Sequence, residues 1–404
     1  MLIGIVGAGA SGVLCAIFAA SRGHDVVIFE RKDRILKKVL VTGNGTCNYT
    51  NINANYLNYF SIEDKIDEYI FKNYGPNDVI EFFKTIGIEP SVEERGKVYP
   101  ISFQASSLVD ALRFKLESFK NIDIKLDFDV KKIRKKNSKF NITSQNDETI
   151  SVDKLVLASG GNSYQELGSN GSGYELASKM GHSISKIYPI LVQLKSDKKY
   201  IKGLEGVKMK VVLSVYNKKE FLRSDSNELL FTPYGISGPT VFNLSYLTAL
   251  YNIEDLNFYV DFMPKYDEKT LKEMLIYRKN NMKYMSAEYF LNGLVNKKLG
   301  QFLLKYVGLE KLNMSIDKID DKIIDKLVTI LKNYHIKVFD TTGYSNAQVT
   351  AGGILVKEIN NKTFESKMVK DMYIIGEVLD VFGDCGGYNL TWCFITGMHV
   401  GKNI

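Results

Sequence analysis

The first thirty residues decide the fold: Leu2-Ile-Gly-Ile-Val-Gly7-Ala-Gly9-Ala-Ser-Gly12 and, further on, Val26-Val-Ile-Phe-Glu30. A short apolar run leads into Gly-x-Gly-x-x-Gly, and a second apolar run ends in an acid. This spacing is typical of a β-α-β dinucleotide site, in which Gly7 permits a tight turn, Gly9 lets backbone approach a pyrophosphate, and Gly12 lets helix and strand pack closely. The helix N-terminus would face the phosphates and Glu30 would accept hydrogen bonds from a ribose. We therefore expect a Rossmann-like α/β domain.

The composition is that of an ordinary globular chain. Its 404 residues are 45% hydrophobic and 25% charged. This length accommodates one large domain with insertions, or two to three domains. No uninterrupted apolar run reaches the roughly 18 residues of a membrane span. The apolar start also resembles a signal peptide, but no basic segment precedes it and glycines interrupt it, so we expect no leader.

Charge and cysteines indicate the setting of the protein. The formal net charge of +7 permits attraction to nucleic acid, yet the basic residues are spread along the chain, which favours a solvated surface. The four cysteines form no Cys-x-x-Cys pair and no zinc-ligand pattern with histidine. These features predict a cytoplasmic protein without a metal site.

The chain changes character three times. Lys154 to Gly161 has the pattern of a buried strand ending in a glycine pair, and it resembles the strand that returns to the cofactor in two-dinucleotide flavoproteins. The predicted segments are a first part of the dinucleotide domain at 1–189, an antiparallel, barrel-like β insertion at 190–263, a Lys-rich helical insertion at 264–336, and a second part of the dinucleotide domain at 337–404.

Two glycine-rich segments are candidates for contact with a cofactor. The loop Gly43-Asn44-Gly45-Thr46-Cys47 could lie flat against a planar ring or a phosphate, or could be a surface turn, and its spacing favours neither.

The tail contains a strand ending near Gly376, then Asp380, then a glycine-rich turn that opens a helix from about Thr391. This is a second anion- or dipole-type site, unless the glycines only cap the helix. In flavoproteins the arrangement places an Asp on the ribitol and aims a helix N-terminus at the N1–C2=O edge of the isoalloxazine.

The sequence resembles the YhiN/BaiN-like flavoproteins, a group of bacterial FAD-dependent oxidoreductases. The resemblance covers essentially the whole chain. It rests on Gly7–Gly12 with Glu30, Lys38 with Gly43–Asn51, Gly96–Ser102, Ala158–Gly161, Leu230–Pro239, Ala347–Gly353 and Gly376–Leu390. It implies a discontinuous FAD domain built from both ends of the chain, with a β domain and a helical domain inserted between them.

The same resemblance implies the residues that hold FAD. The ADP half would be held by Gly7, Gly9, Ser11, Gly12, Glu30 and Arg31, with the Val130 backbone at the adenine. The pyrophosphate, ribitol and flavin would be held by Lys38, Gly43, Gly160, Gly376, Asp380, Gly387, Asn389 and Leu390. Two segments depart from the family pattern: Thr46 stands where a basic residue is common, and Thr391-Trp-Cys393 replaces Gln-Trp-Ala.

We therefore expect an FAD-dependent oxidoreductase in which NAD(P)H reduces the flavin and the flavin passes hydride to an unsaturated or oxidised small molecule. Tyr388 and Cys47 are candidates for an acid or base because each should lie near the flavin. The alternatives are a flavoprotein that acts on nucleic acid, such as a tRNA modifier, and a non-catalytic flavin-bound sensor or scaffold. The oligomeric state cannot be derived from these motifs.

Overall fold

The computed structural model describes all residues from 1 to 404. The chain divides into two compact units. The first unit combines residues 1–189 with 344–404, and the second comprises 190–343. Both ends of the chain therefore build one unit, as the sequence predicted for the dinucleotide domain.

A parallel five-stranded sheet forms the centre of the first unit. In spatial order its strands are β21 (Met372–Ile374), β11 (Lys154–Leu157), β1 (Leu2–Val6), β2 (Asp25–Phe29) and β7 (Ile122–Lys125). All four neighbouring pairs are parallel, so the carboxyl ends of all five strands share one edge. Strand β1 lies in the middle, between β11 and β2, and β21 of the C-terminal segment forms one edge of the sheet. This confirms the Rossmann-type α/β prediction.

Four smaller sheets complete the strands of the first unit. They are β10 (Thr149–Val152) with β9 (Lys139–Ser144) and β8 (Val130–Lys136); β3 (Thr50–Asn51) with β6 (Lys97–Pro100) and β5 (Pro90–Val92); β22 (Phe382–Gly383) with β4 (Tyr59–Phe60); and β12 (Tyr188–Ile190) with β20 (Val349–Ala351). Two of these sheets, β22 with β4 and β12 with β20, pair earlier segments with the C-terminal segment.

Thirteen α-helices occur in the chain. In chain order they are α1 (Ala10–Ser21), α2 (Lys37–Leu40), α3 (Tyr69–Asn73), α4 (Pro76–Thr85), α5 (Ala105–Glu117), α6 (Ser172–Lys179), α7 (Lys198–Ile201), α8 (Pro239–Ser245), α9 (Leu247–Leu250), α10 (Glu268–Asn281), α11 (Lys297–Tyr306), α12 (Asp321–Lys332) and α13 (Tyr388–Asn403). None combines the length and the apolarity that crossing a bilayer requires. Helix α13 begins at Tyr388, three residues before the predicted start.

The second unit contains a seven-stranded antiparallel sheet. Its order is β18 (Tyr334–Ile336), β17 (Leu256–Asp261), β14 (Lys208–Asn217), β15 (Glu220–Thr232), β16 (Gly235–Ser237), β13 (Leu194–Ser196) and β19 (Val338–Thr341). The two end strands do not pair with each other, so the sheet is open. Helices α10 to α12 and strand β19 belong to this unit. The sequence had placed β19 in the C-terminal segment, but its pairing with β13 extends the second unit to residue 343.

Candidate functional site

The glycine-rich segments of the first unit meet at the carboxyl edge of the parallel sheet. Strand β1 runs into Gly7, β11 runs towards Gly160, and β21 runs towards Gly376, while β2 leads to Glu30. Ligands of open α/β sheets bind outside this edge. Segments that are more than 360 residues apart in sequence therefore contribute to one site, as Gly376 and the N-terminal glycines show.

Each of the three positions in the first motif requires glycine for a different structural reason. A Cβ on Gly12 would lie 2.0 Å from the carbonyl oxygen of Gly7, and a Cβ on Gly7 would lie 2.5 Å from the carbonyl oxygen of Ala158. Gly7 also has a φ of +104°, which disfavours any side chain. By contrast, a Cβ on Gly9 would meet no atom within 4 Å. Gly9 caps α1, so the space in front of it is where a phosphate can approach.

Glu30 and Arg31 lie where the ribose and adenine of a dinucleotide are expected. The carboxylate of Glu30 accepts hydrogen bonds from the amides of Ala8 and Lys32, both at 2.9 Å. Burial raises the pKa of Glu30 above its ordinary 4.5, and these two amides oppose the rise. Arg31 pairs with Asp129 at 2.6 Å, yet its Nη1 is buried without a hydrogen-bond partner. Val130 follows Asp129 directly, so the structure brings the three predicted residues of this end together.

Lys38 forms an ion pair that the sequence did not reveal. Its ammonium lies 2.7 Å from a carboxylate oxygen of Glu377, and the second oxygen of Glu377 accepts from the amide of Thr350 at 3.0 Å. A Cβ on Gly161 would lie 3.2 Å from that carboxyl group. Glu377 thus joins the glycine pair after β11 to the tail. The adjacent Gly376 has a φ of +75°, and a Cβ there would lie 2.5 Å from the hydroxyl of Ser11.

The turn before α13 is held by side chains from distant segments. Gly387 caps the helix with φ +97°, and a Cβ there would lie 2.4 Å from the carbonyl oxygen of Thr50. The side-chain amide of Asn51 donates to the carbonyl of Gly386 at 2.9 Å. The phenol of Tyr59 donates to the carbonyl of Tyr388 at 2.9 Å. These contacts hold the carbonyls of the turn and of the first helical residue from within the protein.

Asn389 and Asp380 use their side chains inside the protein. The side chain of Asn389 accepts from the amide of Gly383 and donates to its carbonyl, at 2.8 and 3.0 Å. Asp380 is fully buried and accepts from the amides of Ile62 and Glu63. Burial raises the pKa of Asp380, which these amides oppose. Both residues brace the tail, and their predicted role on FAD remains a proposal.

The Gly43 loop combines an exposed turn with a buried cysteine. Gly43 is exposed and left-handed, with φ +57°, and its carbonyl accepts from the hydroxyl of Thr46. Cys47, by contrast, is completely buried. Burial raises the pKa of its thiol to about 11, and a hydrogen bond with Thr42 opposes this. The thiol is therefore protonated at neutral pH.

Two further glycines, which the sequence analysis missed, position the two helices that open at the site. A Cβ on Gly397 would lie 2.4 Å from the carbonyl oxygen of Ser11, and a Cβ on Gly401 would lie 2.5 Å from that of Cys15. Helix α13 therefore packs backbone to backbone against α1. The four-residue spacing of these glycines within a helix was a readable signal of such close approach.

The residues present fit FAD. The open space at Gly9 and the N-terminus of α1 suit a pyrophosphate, the remaining lone pairs of Glu30 suit ribose hydroxyls, and the unpartnered Nη1 of Arg31 lacks only an acceptor. The N-terminus of α13 has no acidic residue in its first turn and no side-chain cap. It is therefore suited to a group that carries negative charge.

Comparison with known proteins gives one family over the whole chain. Residues 2–403 match the HI0933-like protein Rossmann domain. The chain is 34% identical to a 3-dehydro-bile acid delta(4,6)-reductase of Clostridium scindens, covering 99% of this chain and 98% of that protein. It is 29% identical to a ribosomal RNA dihydrouridine synthase of Haemophilus influenzae, covering 96% and 95%.

Solved structures show the same fold at low identity. A 3-ketosteroid-delta4-(5alpha)-dehydrogenase from Rhodococcus jostii superimposes with a TM-score of 0.53 at 12% identity, covering 99% of this chain and 95% of that one. The family match and the likeness to the reductase extend over nearly all residues, including both halves of the site. The chain belongs to the HI0933-like family, an FAD-dependent oxidoreductase-like family with a Rossmann domain.

Proposed function

We propose that the protein is an FAD-dependent reductase that adds hydride to a carbon–carbon double bond conjugated to a carbonyl group in a small molecule, with NAD(P)H as the reductant. The observation that carries this is the parallel packing of α1 and α13, whose N-termini both point to the carboxyl side of one parallel sheet. FAD bound there would supply the hydride chemistry. The chain's own residues would bind it, orient it and exclude water.

The names of the relatives support this reaction class. A delta(4,6)-reductase and a dihydrouridine synthase both saturate a carbon–carbon double bond, although their substrates differ greatly in size. Reduction of a conjugated double bond needs hydride on one carbon and a proton on the other. A flavin with an adjacent proton donor is sufficient for this chemistry.

For the proton donor we propose Tyr388 rather than Cys47. Tyr388 is the first residue of α13 and is half-buried, so its side chain begins at the end of the helix that should face the flavin. The thiol of Cys47 is fully buried, and its pKa is raised to about 11. Substitution Tyr388→Phe should lower turnover about 10²-fold or more while leaving FAD bound, as expected for loss of a general acid.

Anaerobic flavin reduction tests the proposal. Purified protein, reconstituted with FAD if necessary, should lose its oxidised-flavin absorbance with NADH or NADPH and regain it with one member of a panel of enones, including steroid enones. Colourless protein that cannot be reconstituted with FAD would refute the proposal. Reoxidation by quinones but by no enone would refute the acceptor class while leaving the flavoprotein assignment intact.

Ribosomal RNA is the second candidate substrate. Two observations favour it: the dihydrouridine synthase relatives, at 29% and 28% identity, and the net charge of +7. Incubation of reduced enzyme with unmodified ribosomal RNA, followed by nucleoside analysis, should yield dihydrouridine if RNA is the acceptor. Binding that weakens steeply with salt would accompany it, because phosphate contacts release counterions. Absence of dihydrouridine together with enone turnover would decide for the small molecule.

A further inference from the structure

Two buried threonine hydroxyls lie directly behind the N-terminus of α13. Thr50 and Thr391 are 0% and 1% exposed, and their hydroxyl oxygens are 2.7 Å apart. The hydroxyl of Thr391 also donates to the carbonyl of Gly387 at 2.9 Å. A hydroxyl has one hydrogen, so Thr50 must be the donor to Thr391. The result is a directed chain from Thr50 through Thr391 to the carbonyl of the helix-capping residue.

This chain fixes the first peptide group of the helix. The carbonyl of Gly387 accepts both the amide of Thr391, at 3.0 Å, and its hydroxyl, so both lone pairs of the oxygen are used. In a helical peptide group the N–H points opposite to the C=O. The amide of Tyr388 is therefore aimed out of the helix N-terminus, and the phenol of Tyr59 fixes the next peptide group in the same way. Consecutive hydrogen bonds polarise one another and strengthen the effect.

We propose that the Thr50–Thr391 hydroxyl pair is a positioning device that sets how strongly the N-terminus of α13 stabilises the reduced, negatively charged flavin relative to the oxidised flavin. This rests on the proposed function, since it takes the flavin's pyrimidine edge as the group in front of α13. Thr391 is a positioning residue because it acts through the Gly387 peptide and does not itself contact the flavin. A preorganised dipole favours the state in which charge develops.

The helix contains its own matched control. Thr396 is also completely buried in α13 and donates to a carbonyl four residues earlier, that of Trp392, at 2.7 Å. Its bond lies more than one turn inside the helix and does not involve the capping peptide. Thr391→Val and Thr396→Val each remove a buried hydroxyl that donates to a carbonyl four residues earlier. Only Thr391→Val should change the reduction potential of the flavin.

The experiment measures the reduction potential of bound FAD, by equilibration with reference dyes, in wild type, Thr391→Val, Thr391→Ser, Thr50→Val, the double variant and Thr396→Val. We expect Thr391→Val to lower the preference for reduced over oxidised FAD by about threefold to tenfold, the worth of one hydrogen bond. Tenfold equals about 30 mV for a two-electron couple. Thr391→Ser should retain the wild-type potential, Thr50→Val should shift it less in the same direction, and the double variant should add little to Thr391→Val.

Each outcome decides something. An unchanged potential in FAD-loaded Thr391→Val, or an equal shift in Thr396→Val, overturns the positioning role but leaves the flavoprotein assignment standing. If Thr391→Val does not fold, Thr50→Val, which keeps the Thr391–Gly387 bond, carries the test, and a wild-type potential in it overturns the proposal. Wild-type protein that binds no FAD would overturn the proposed function and this inference together.

Discussion

The helices α1 and α13 both begin at the candidate site, but their N-termini are held in place in different ways. The N-terminus of α1 is built from nearby residues. Gly7, Gly9 and Gly12 lie within six positions, Gly12 packs against Gly7, and Gly7 packs against Ala158 after the neighbouring strand. The N-terminus of α13 is held by side chains of Thr50, Asn51 and Tyr59, more than 320 residues earlier in the chain. The first kind of site is visible as a motif, whereas the second exists only in the folded chain.

The difference predicts different responses to mutation. In α1, backbone contacts dominate, so the effect of a substitution follows from the space available to one Cβ. In α13, hydrogen bonds to carbonyls dominate, so the effect follows from which donor is removed. A substitution at the start of α1 should therefore either disrupt the fold or leave its stability unchanged. Substitutions around the start of α13 should each weaken the site by about the contribution of one hydrogen bond.

The largest effect should come from Gly12→Ala. The new Cβ would lie 2.0 Å from a backbone oxygen, which cannot move as a flexible side chain does. We expect a loss of about 3 kcal/mol or more in the free energy of unfolding, measured by denaturant titration. Gly9→Ala is the matched control, because its Cβ meets nothing. It should keep wild-type stability yet bind FAD more weakly, and equal destabilisation by both variants would contradict this view of the motif.

Next in size is Asn51→Ala, which removes the buried side-chain donor to the carbonyl of the half-buried Gly386. Loss of the donor to a carbonyl shielded from water costs about 1–3 kcal/mol. We expect a loss of about 2 kcal/mol in stability, together with weaker FAD binding measured by fluorescence titration. Asn53→Ala, an exposed neighbour, should cost far less. If the two variants behave alike, the turn before α13 is not held from Asn51.

A smaller effect should follow Lys38→Met. The ion pair with Glu377 is partly exposed, at 21% and 13% for the two side chains, so its breaking should cost about 1–2 kcal/mol rather than the larger penalty of full burial. A double-mutant cycle with Glu377→Gln isolates the pair. A coupling energy near zero would show that the two residues act separately, for example each on FAD.

The pH dependence of FAD binding should be smaller still and should come from Glu30. Burial raises the pKa of Glu30 above 4.5 in the folded protein, and FAD needs the carboxylate as an acceptor. FAD affinity should therefore fall as pH decreases towards the raised pKa. The stability of the apo protein should show the opposite trend, because the folded state holds this proton more tightly than the unfolded state and loses stability as pH rises through the raised pKa. The Glu30→Gln variant should bind FAD more weakly at every pH, and both its FAD affinity and its stability should depend less on pH.

How far the sequence predicts the site follows from the same distinction. The glycine motif with Glu30 predicted β1, α1 and β2, because the physical reasons for those residues are local. The pairing of β19 with β13 was not predicted, because it joins segments more than 140 residues apart in the chain. Glu377 and Thr50 were missed for the same reason: their partners, Lys38 and Thr391, are 339 and 341 residues away.

The smallest effect is expected for the loop from Gly43 to Cys47. It tests whether a cysteine beside a glycine-rich turn indicates a reactive thiol in this protein. Its cysteine is next to a glycine-rich turn, as in many reactive sites, but the thiol is buried and its pKa is raised to about 11. Only about one thiol in ten thousand is then ionised at pH 7. Cys47→Ala should thus cost about 1 kcal/mol of packing and leave flavin reduction and turnover unchanged. Mass spectrometry after brief iodoacetamide treatment should find the half-buried Cys385 alkylated before Cys47. Rapid alkylation of Cys47, or loss of turnover in FAD-loaded Cys47→Ala, would return this thiol to the list of catalytic groups and would show that the loop opens in solution.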